Sequence, residues 1–250
     1  ATKGDVKVCK ALMPLLYSYL DMPTIQKEIK DEDGNLVHLT KVIANEDDRK
    51  IDALKSIVKK EVVQNQNRVI VYTYYTNDGI NDYIKEKLEE EGYQVTVLNK
   101  NTEHSISCDG TLKKVPKNKR EEYIKAEVKK GTEVLITNPE LVKTGTNLVD
   151  FAPIVRYQMD YQVYTERQAR GRTRRIGQTK KCTIYYLYYK QSFQEDITKL
   201  MATKIVASEA IEGKMDSRGL DAITNSRTPE EELAKKFFET MGLTQDKKPK

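Results

Sequence analysis

Residues 167–178 read RQARGRTRRIGQ, and the rest of the chain makes sense as scaffold or partner for them. In a helix, Gln168, Arg172 and Arg175 would fall at i, i+4 and i+7, stacking one amide and two guanidinium groups along a single face. Arginine suits phosphate because its planar fork donates two parallel hydrogen bonds and stays charged at any working pH. Gly171 leaves room for an incoming ligand, at a cost to the helix of roughly 1 kcal/mol relative to alanine. Charge alone equally suits a basic helix lying on nucleic acid, or one facing solvent. The spacing Q-x-x-G-R-x-x-R-x-G-Q is what narrows the choice.

Working outward, PIVRYQ (153–158) and CTIYYLYY (182–189) read as strands on either side of a helix from about 162 to 176. The tyrosines at 185, 186, 188 and 189 invite base stacking. A strand alternating between two covered faces explains them more simply. Further upstream, RVIVYTYY (68–75) is the β-branched and aromatic run expected of a buried parallel strand. A helix then spans Asp78 to Glu91 and stops at Gly92, followed by a strand YQVTVLN (93–99). Residues 100–117 read as an exposed loop. A helix over 117–130 ends at Gly131, and TEVLIT (132–137) is a further strand. The alternation over 68–190 predicts an α/β fold, a doubly wound parallel sheet with ligands at the carboxyl ends of its strands.

Beyond this unit the sequence predicts an N-terminal extension over 1–67. It starts with an apolar helix at 5–20 that Pro14 kinks or ends. A charged hairpin follows over 24–43 around Asp33-Gly34-Asn35. The acidic run Asp31-Glu32-Asp33 fits neither a calcium loop nor a Walker B box, since no Glu closes a twelve-residue loop and no apolar strand leads into it. Ile51, Leu54, Ile57, Val58 and Val62 recur at helical spacing between Asp47 and Gln64. After Phe193 a helix is expected over 194–214, with helices occupying 191–225 and a flexible tail over 226–250.

The arginine pattern resembles motif VI of superfamily 2 helicases, and its RRIGQ ending is similar to that of the Swi/Snf branch of DNA-dependent ATPases. Gly171 and Arg174 stand where Swi/Snf remodellers usually carry Asp and His, a departure that points to a bacterial or phage-type relative. The segment TNPELVKTGTNLVDF (137–151) resembles motif V, with Gly145-Thr146-Asn147-Leu148 as its ending, and Tyr74-Tyr75-Thr76-Asn77 stands where motif IV lies. The resemblance covers roughly residues 50–215. It implies a RecA-like C-terminal lobe with helices on both faces of its sheet. Arg172 and Arg175 would be catalytic arginine fingers, reaching ATP held mainly by a different lobe. Gln168, Gly145, Asn147 and Gly171 would line the nucleotide side. Thr76, Thr137, Asn138, Lys143 and Thr144 would meet nucleic acid. No G-x-x-x-x-G-K-[ST] and no strand followed by Asp-Glu-x-His occurs in the 250 residues. The resemblance therefore implies that ATP and magnesium are held mainly by an N-terminal RecA-like lobe of the same polypeptide, and that this lobe alone is inactive. The missing initiator Met is compatible with an excised fragment.

Composition fits this reading without proving it. Charged residues make up 32% and the net charge is +5, with basic residues concentrated in 113–130, 167–181 and the tail. Cys9, Cys108 and Cys182 are far apart and lack C-x-x-C spacing, so neither a disulfide framework nor a zinc site is expected, and a reducing, cytoplasmic setting follows. His38 and His104 have no neighbouring ligands. No apolar run reaches the length of a membrane span and the start lacks the layout of a signal peptide. The expected function is the C-terminal motor lobe of a DNA-stimulated ATPase or translocase acting on DNA, taken as the duplex. The RIGQ ending argues for DNA over RNA by resemblance. The rival is a non-catalytic nucleic-acid-binding module that uses the same basic face without ATP.

Overall fold

A computed structural model describes residues 3–30, 36–42, 49–76, 78–105, 112–142, 146–160 and 175–211, together with Thr165, Gln168 and residues 171–173. The chain divides into two compact units. One comprises Ser18–Gln158 with Tyr164–Leu187, and the other comprises Ala1–Tyr17, Met159–Val163 and Tyr188–Lys250.

The first unit is built on a five-stranded sheet. In chain order its strands are β3 (Arg68–Tyr72), β4 (Val95–Leu98), β7 (Val134–Thr137), β8 (Phe151–Arg156) and β9 (Ile184–Tyr186). Their spatial order is β4-β7-β3-β8-β9, and every adjacent pair is parallel. All five predicted strands are present; four are shorter than the predicted run, and β8 keeps its length but lies two residues upstream. Period-two alternation splits β3 between two cores. Val69 and Val71 pack with Ile51, Leu54 and Val58 of α2 (Arg49–Val58) and with Ile80, Ile84 and Leu88 of α3 (Ile80–Glu89). Ile70 and Tyr72 pack with Ile124 of α4 (Arg120–Lys129) and with Leu141 and Val142 of α5 (Pro139–Val142). Helices cover both faces, as a parallel sheet requires. The core takes in α2, upstream of the expected boundary at residue 67.

Several expectations change. The helix after residue 47 is α-helical only to Val58, and Lys59–Gln64 form a π-helical turn. That turn aims the buried Glu61 at Asn65, Asn67 and the Tyr185 hydroxyl, and helical spacing carries no sign of it. The expected loop over 100–117 holds a small antiparallel hairpin, β5 (Glu103–Ser105) with β6 (Leu112–Lys114). Three-residue strands are too short to show alternation. Tyr186 and Tyr188 are exposed rather than covered, because β9 is the edge strand and is only three residues long.

The predicted N-terminal hairpin exists as β1 (Thr24–Lys30) and β2 (Leu36–Val42), paired antiparallel from Thr24 opposite Val42 to Lys30 opposite Leu36. Its tip, with Asp33-Gly34-Asn35 and the acidic run, lies outside the described residues. Helix α1 (Lys3–Asp21) runs through Pro14 instead of ending there. In the second unit Tyr17 donates its hydroxyl to the Met159 carbonyl at 2.7 Å, and its ring meets Phe193 edge-on with centroids 5.0 Å apart. Helix Phe193–Ile211 buries Ile197, Met201 and Ile205. The expected tail over 226–250 is outside the described residues.

Candidate nucleotide and nucleic-acid site

Parallel strands send all their carboxyl ends to one edge of the sheet. The three central strands β7, β3 and β8 therefore place three segments side by side: Thr73–Thr76 after β3, Asn138 with α5 after β7, and Tyr157 and Gln158 after β8. Hydrogen bonds lock them together. Asn138 caps α5, accepting the Glu140 amide at 2.9 Å on its Oδ1, with Pro139 at the first helical position, and its Nδ2 donates to the Tyr74 carbonyl at 3.1 Å. The Gln158 side chain accepts both the Tyr74 and Tyr75 amides at 2.9 Å. It also donates to Asp21 at 2.9 Å, and Asp21 in turn accepts from the buried Lys50 ammonium at 2.7 Å. Glu140 accepts from the Thr165 hydroxyl at 2.6 Å, tying α5 to the helical residue Thr165 upstream of the arginines.

The nucleic-acid residues expected from sequence divide accordingly. Thr76 is half-buried at the mouth of the β3 loop. Thr137 is fully buried and its hydroxyl donates to the Leu98 carbonyl at 2.8 Å. Both ends of the Asn138 amide are engaged within the protein. The Tyr74 and Tyr75 amides, candidates for a phosphate, are occupied by Gln158. Lys143 and Thr144, and with them Gly145 of the nucleotide set, lie outside the described residues.

The described residues Thr165, Gln168 and 171–173 are helical, and the helical run is broken before Arg175. Gln168 and Arg172 are half-buried, and the Arg172 carbonyl accepts the Leu148 amide at 3.2 Å. Motif V and motif VI are thereby joined backbone to backbone. Arg175 departs from the expected shared face. It opens a turn closed by the Gln178 amide donating to the Arg175 carbonyl at 3.0 Å, with Gly177 at φ 100° in the position where such a turn requires a left-handed residue. Glycine adopts that conformation without steric cost. Arg175 is exposed. Gly171 is exposed too, and among the described residues a Cβ there would meet nothing within 4 Å.

Asn147 is half-buried. Its amide donates to Glu121 at 3.1 Å, and its buried Oδ1 has no hydrogen-bond partner among the described residues. Lys125, hydrogen-bonded to Glu121, together with the Asn147 amide and the charge of Arg175 holds the Glu121 carboxyl below the ordinary carboxylate range. Glu121 and Arg175 are thus electrostatic neighbours. Below the site Arg156, fully buried at the end of β8, stacks its guanidinium 4.3 Å from the ring centroid of Tyr72, its register partner on β3. Sequence reasoning missed Glu121, Arg156, Gln158 and Glu140. Only Arg156, a charge inside an apolar strand, carried a signal.

The Arg172 and Arg175 guanidiniums and the Gln168 NH2 group are donors suited to an anion, whereas the buried Asn147 Oδ1 is an acceptor and suits an N–H or O–H group. Among the described residues, no group of three or more His, Cys, Asp or Glu side chains is placed to hold a metal ion. No helix among them is long and apolar enough to cross a membrane.

A parallel sheet carrying joined motif V and VI loops at one edge defines a RecA-like helicase lobe. Residues 49–177, more than half of the chain, match the helicase conserved C-terminal domain, and the chain belongs to that family. It is similar to an uncharacterized ATP-dependent helicase of Mycoplasma pneumoniae, 25% identical over 179 residues, covering 71% of this chain and 15% of the relative. It is also similar to the ATP-dependent helicase FUN30 of Saccharomyces cerevisiae, 27% identical over 163 residues, covering 65% of this chain and 13% of the relative. Over 85 residues it is 33% identical to chromodomain-helicase-DNA-binding protein 1 of Gallus gallus, covering 34% of this chain and 5% of the relative. The crystal structure of the C-terminal part of the Fun30 ATPase domain shares the fold at a TM-score of 0.54 and 22% identity, covering 78% of this chain and 55% of that one. The expected resemblance to the Swi/Snf branch is borne out, and the chain spans only a small part of these relatives' own lengths.

Proposed function

We propose that this chain is the C-terminal motor lobe of a DNA-stimulated ATPase or translocase. ATP, with magnesium, binds mainly on an N-terminal lobe of the same polypeptide, and Arg172 and Arg175 reach it across the cleft as arginine fingers. Gln168, Asn147, Gly145 and Gly171 line this lobe's side of the nucleotide. Thr76, Thr137, Asn138, Lys143 and Thr144 meet the backbone of duplex DNA, Thr137 and Asn138 also bonding the strand ends and loops around them. The Leu148–Arg172 hydrogen bond carries the reading, because it makes one unit of the loop assigned to both ligands and the helix assigned to the finger. Lobe closure then couples hydrolysis to movement along DNA. The chain by itself lacks a phosphate-cradling loop sequence, so it positions no attacking water and is expected to hydrolyse ATP no faster than buffer.

Arg172→Lys in the complete gene product tests the assignment, because it keeps the charge and removes the fork. A finger loses about ten-fold or more in DNA-stimulated turnover with DNA affinity nearly unchanged. Equal turnover, with a steep salt-dependent affinity that tracks total basic charge, would instead identify a non-catalytic binding module.

A further inference from the structure

Arg175 sits outside the helix, so something other than helical geometry must aim it. Gln178 is placed to do so. Its backbone amide closes the turn on the Arg175 carbonyl at 3.0 Å. Its side-chain Nε2 donates to the Val149 carbonyl at 2.8 Å and to the Thr173 carbonyl at 3.2 Å, while its Oε1 accepts the Lys180 amide at 3.0 Å. Two carbonyls facing one end of the carboxamide and an N–H facing the other leave one orientation of the group, and every polar atom of it is used. The chain is no longer helical at Arg175, so the Thr173 carbonyl is one of those a helix end leaves without an intrahelical donor; Gln178 and the Cys182 thiol at 3.6 Å supply donors. The same side chain therefore ties the turn to the helical segment at Thr173 and to Val149, in the motif V segment that precedes β8.

Resting on the motor-lobe reading above, the geometry points to Gln178 as the positioning residue for Arg175, holding the finger at a set distance from motif V through the Val149 and Thr173 carbonyls. Gln178 touches neither nucleotide nor DNA in this scheme. It acts through Arg175, and its loss therefore shows in turnover and not in binding. A misplacement of about 1 Å at a reacting centre can cost about 100-fold in rate, which sets the scale.

The test is a double-mutant cycle on the complete gene product, reading DNA-stimulated kcat, KM for ATP, DNA affinity and thermal stability. Gln178→Glu keeps the shape and the acceptor but removes both donors facing the two carbonyls. Gly177→Ala perturbs the same turn by different physics. Its φ of 100° strains any other residue, while a Cβ there would meet nothing within 4 Å, so folding is spared. Each substitution is expected to lower kcat about ten-fold or more with DNA affinity within about two-fold. In the Arg175→Ala background each is expected to cost less than about two-fold further, because the residue through which they act is gone. Losses that add to that of Arg175→Ala, or full kcat in both variants where Arg175→Ala is inactive, would overturn the positioning role and leave the finger reading intact. Full turnover in Arg175→Ala itself would overturn both.

Discussion

Glu61 illustrates how much a single side chain contributes beside the site. Burial alone would raise its carboxyl, but hydrogen bonds from Tyr185, Asn65 and Asn67, with the charge of Lys60, outweigh that and hold it below the ordinary value. A carboxyl lowered on folding contributes stability that is present above its unfolded pKa and is lost as pH falls through its folded one. Burial and the Glu61 contact push the Tyr185 phenol the other way, to about 12. That contribution is present below pH ~10 and lost as pH rises toward 12. Glu61→Gln turns an NH2 group toward donors that need acceptors, so at pH 7 it should cost about 1–3 kcal/mol in urea unfolding. The deficit relative to wild type should shrink at pH 3 as the wild-type carboxylate is lost. A deficit independent of pH would mean the charge is irrelevant there. None of this was legible in the sequence. Glu61 lies on a helical pattern, and its role depends on a π-helical turn and on a strand tyrosine more than a hundred residues away.

At the scale of elements, the sheet and its covering helices were legible because apolar periodicity records burial directly: β-branched runs gave the strands, and Ile51, Leu54 and Val58 gave α2. Leu54→Ala should cost about 2–5 kcal/mol by removing fully buried methyl groups between α2 and the sheet. A cost below 1 kcal/mol would place α2 outside the cooperative core. What periodicity cannot record is polar crosslinking between elements. Asp21 ends α1, Lys50 opens α2 and Gln158 follows β8, and together they hold the Tyr74 and Tyr75 amides. Burial lowers the Lys50 ammonium pKa against the attraction of Asp21. Asp21→Ala strips that ammonium of its carboxylate, and a loss of about 3 kcal/mol or more is expected in urea unfolding. The Lys50→Met, Asp21→Leu pair should recover much of it. If the pair is as unstable as the single variant, the ion pair is not what Asp21 contributes. The turn at Arg175 was also hidden, since Gly177 shapes it through its backbone conformation and leaves the side-chain spacing of Gln168, Arg172 and Arg175 looking continuous.

At the scale of the molecule, the family was readable from a dozen residues, because motif VI constrains side-chain identity at fixed spacing, and its members share one scaffold. The site was less readable. The sequence assigned Thr137 and Asn138 to nucleic acid, and their side chains also bond the Leu98 carbonyl, the Tyr74 carbonyl and the Glu140 amide. Residues that shape a loop and residues that touch a ligand share the same polar chemistry, and only geometry separates them. The central claim is that Arg175 serves catalysis and not adhesion. The most direct measurement is DNA-stimulated ATP hydrolysis by the complete gene product, wild type against Arg175→Ala, with DNA binding followed separately across a salt series. The motor-lobe account predicts a loss of about two orders of magnitude or more in turnover with DNA affinity and its salt slope nearly unchanged. Unchanged turnover, or a loss accounted for wholly by weaker DNA binding, would contradict it.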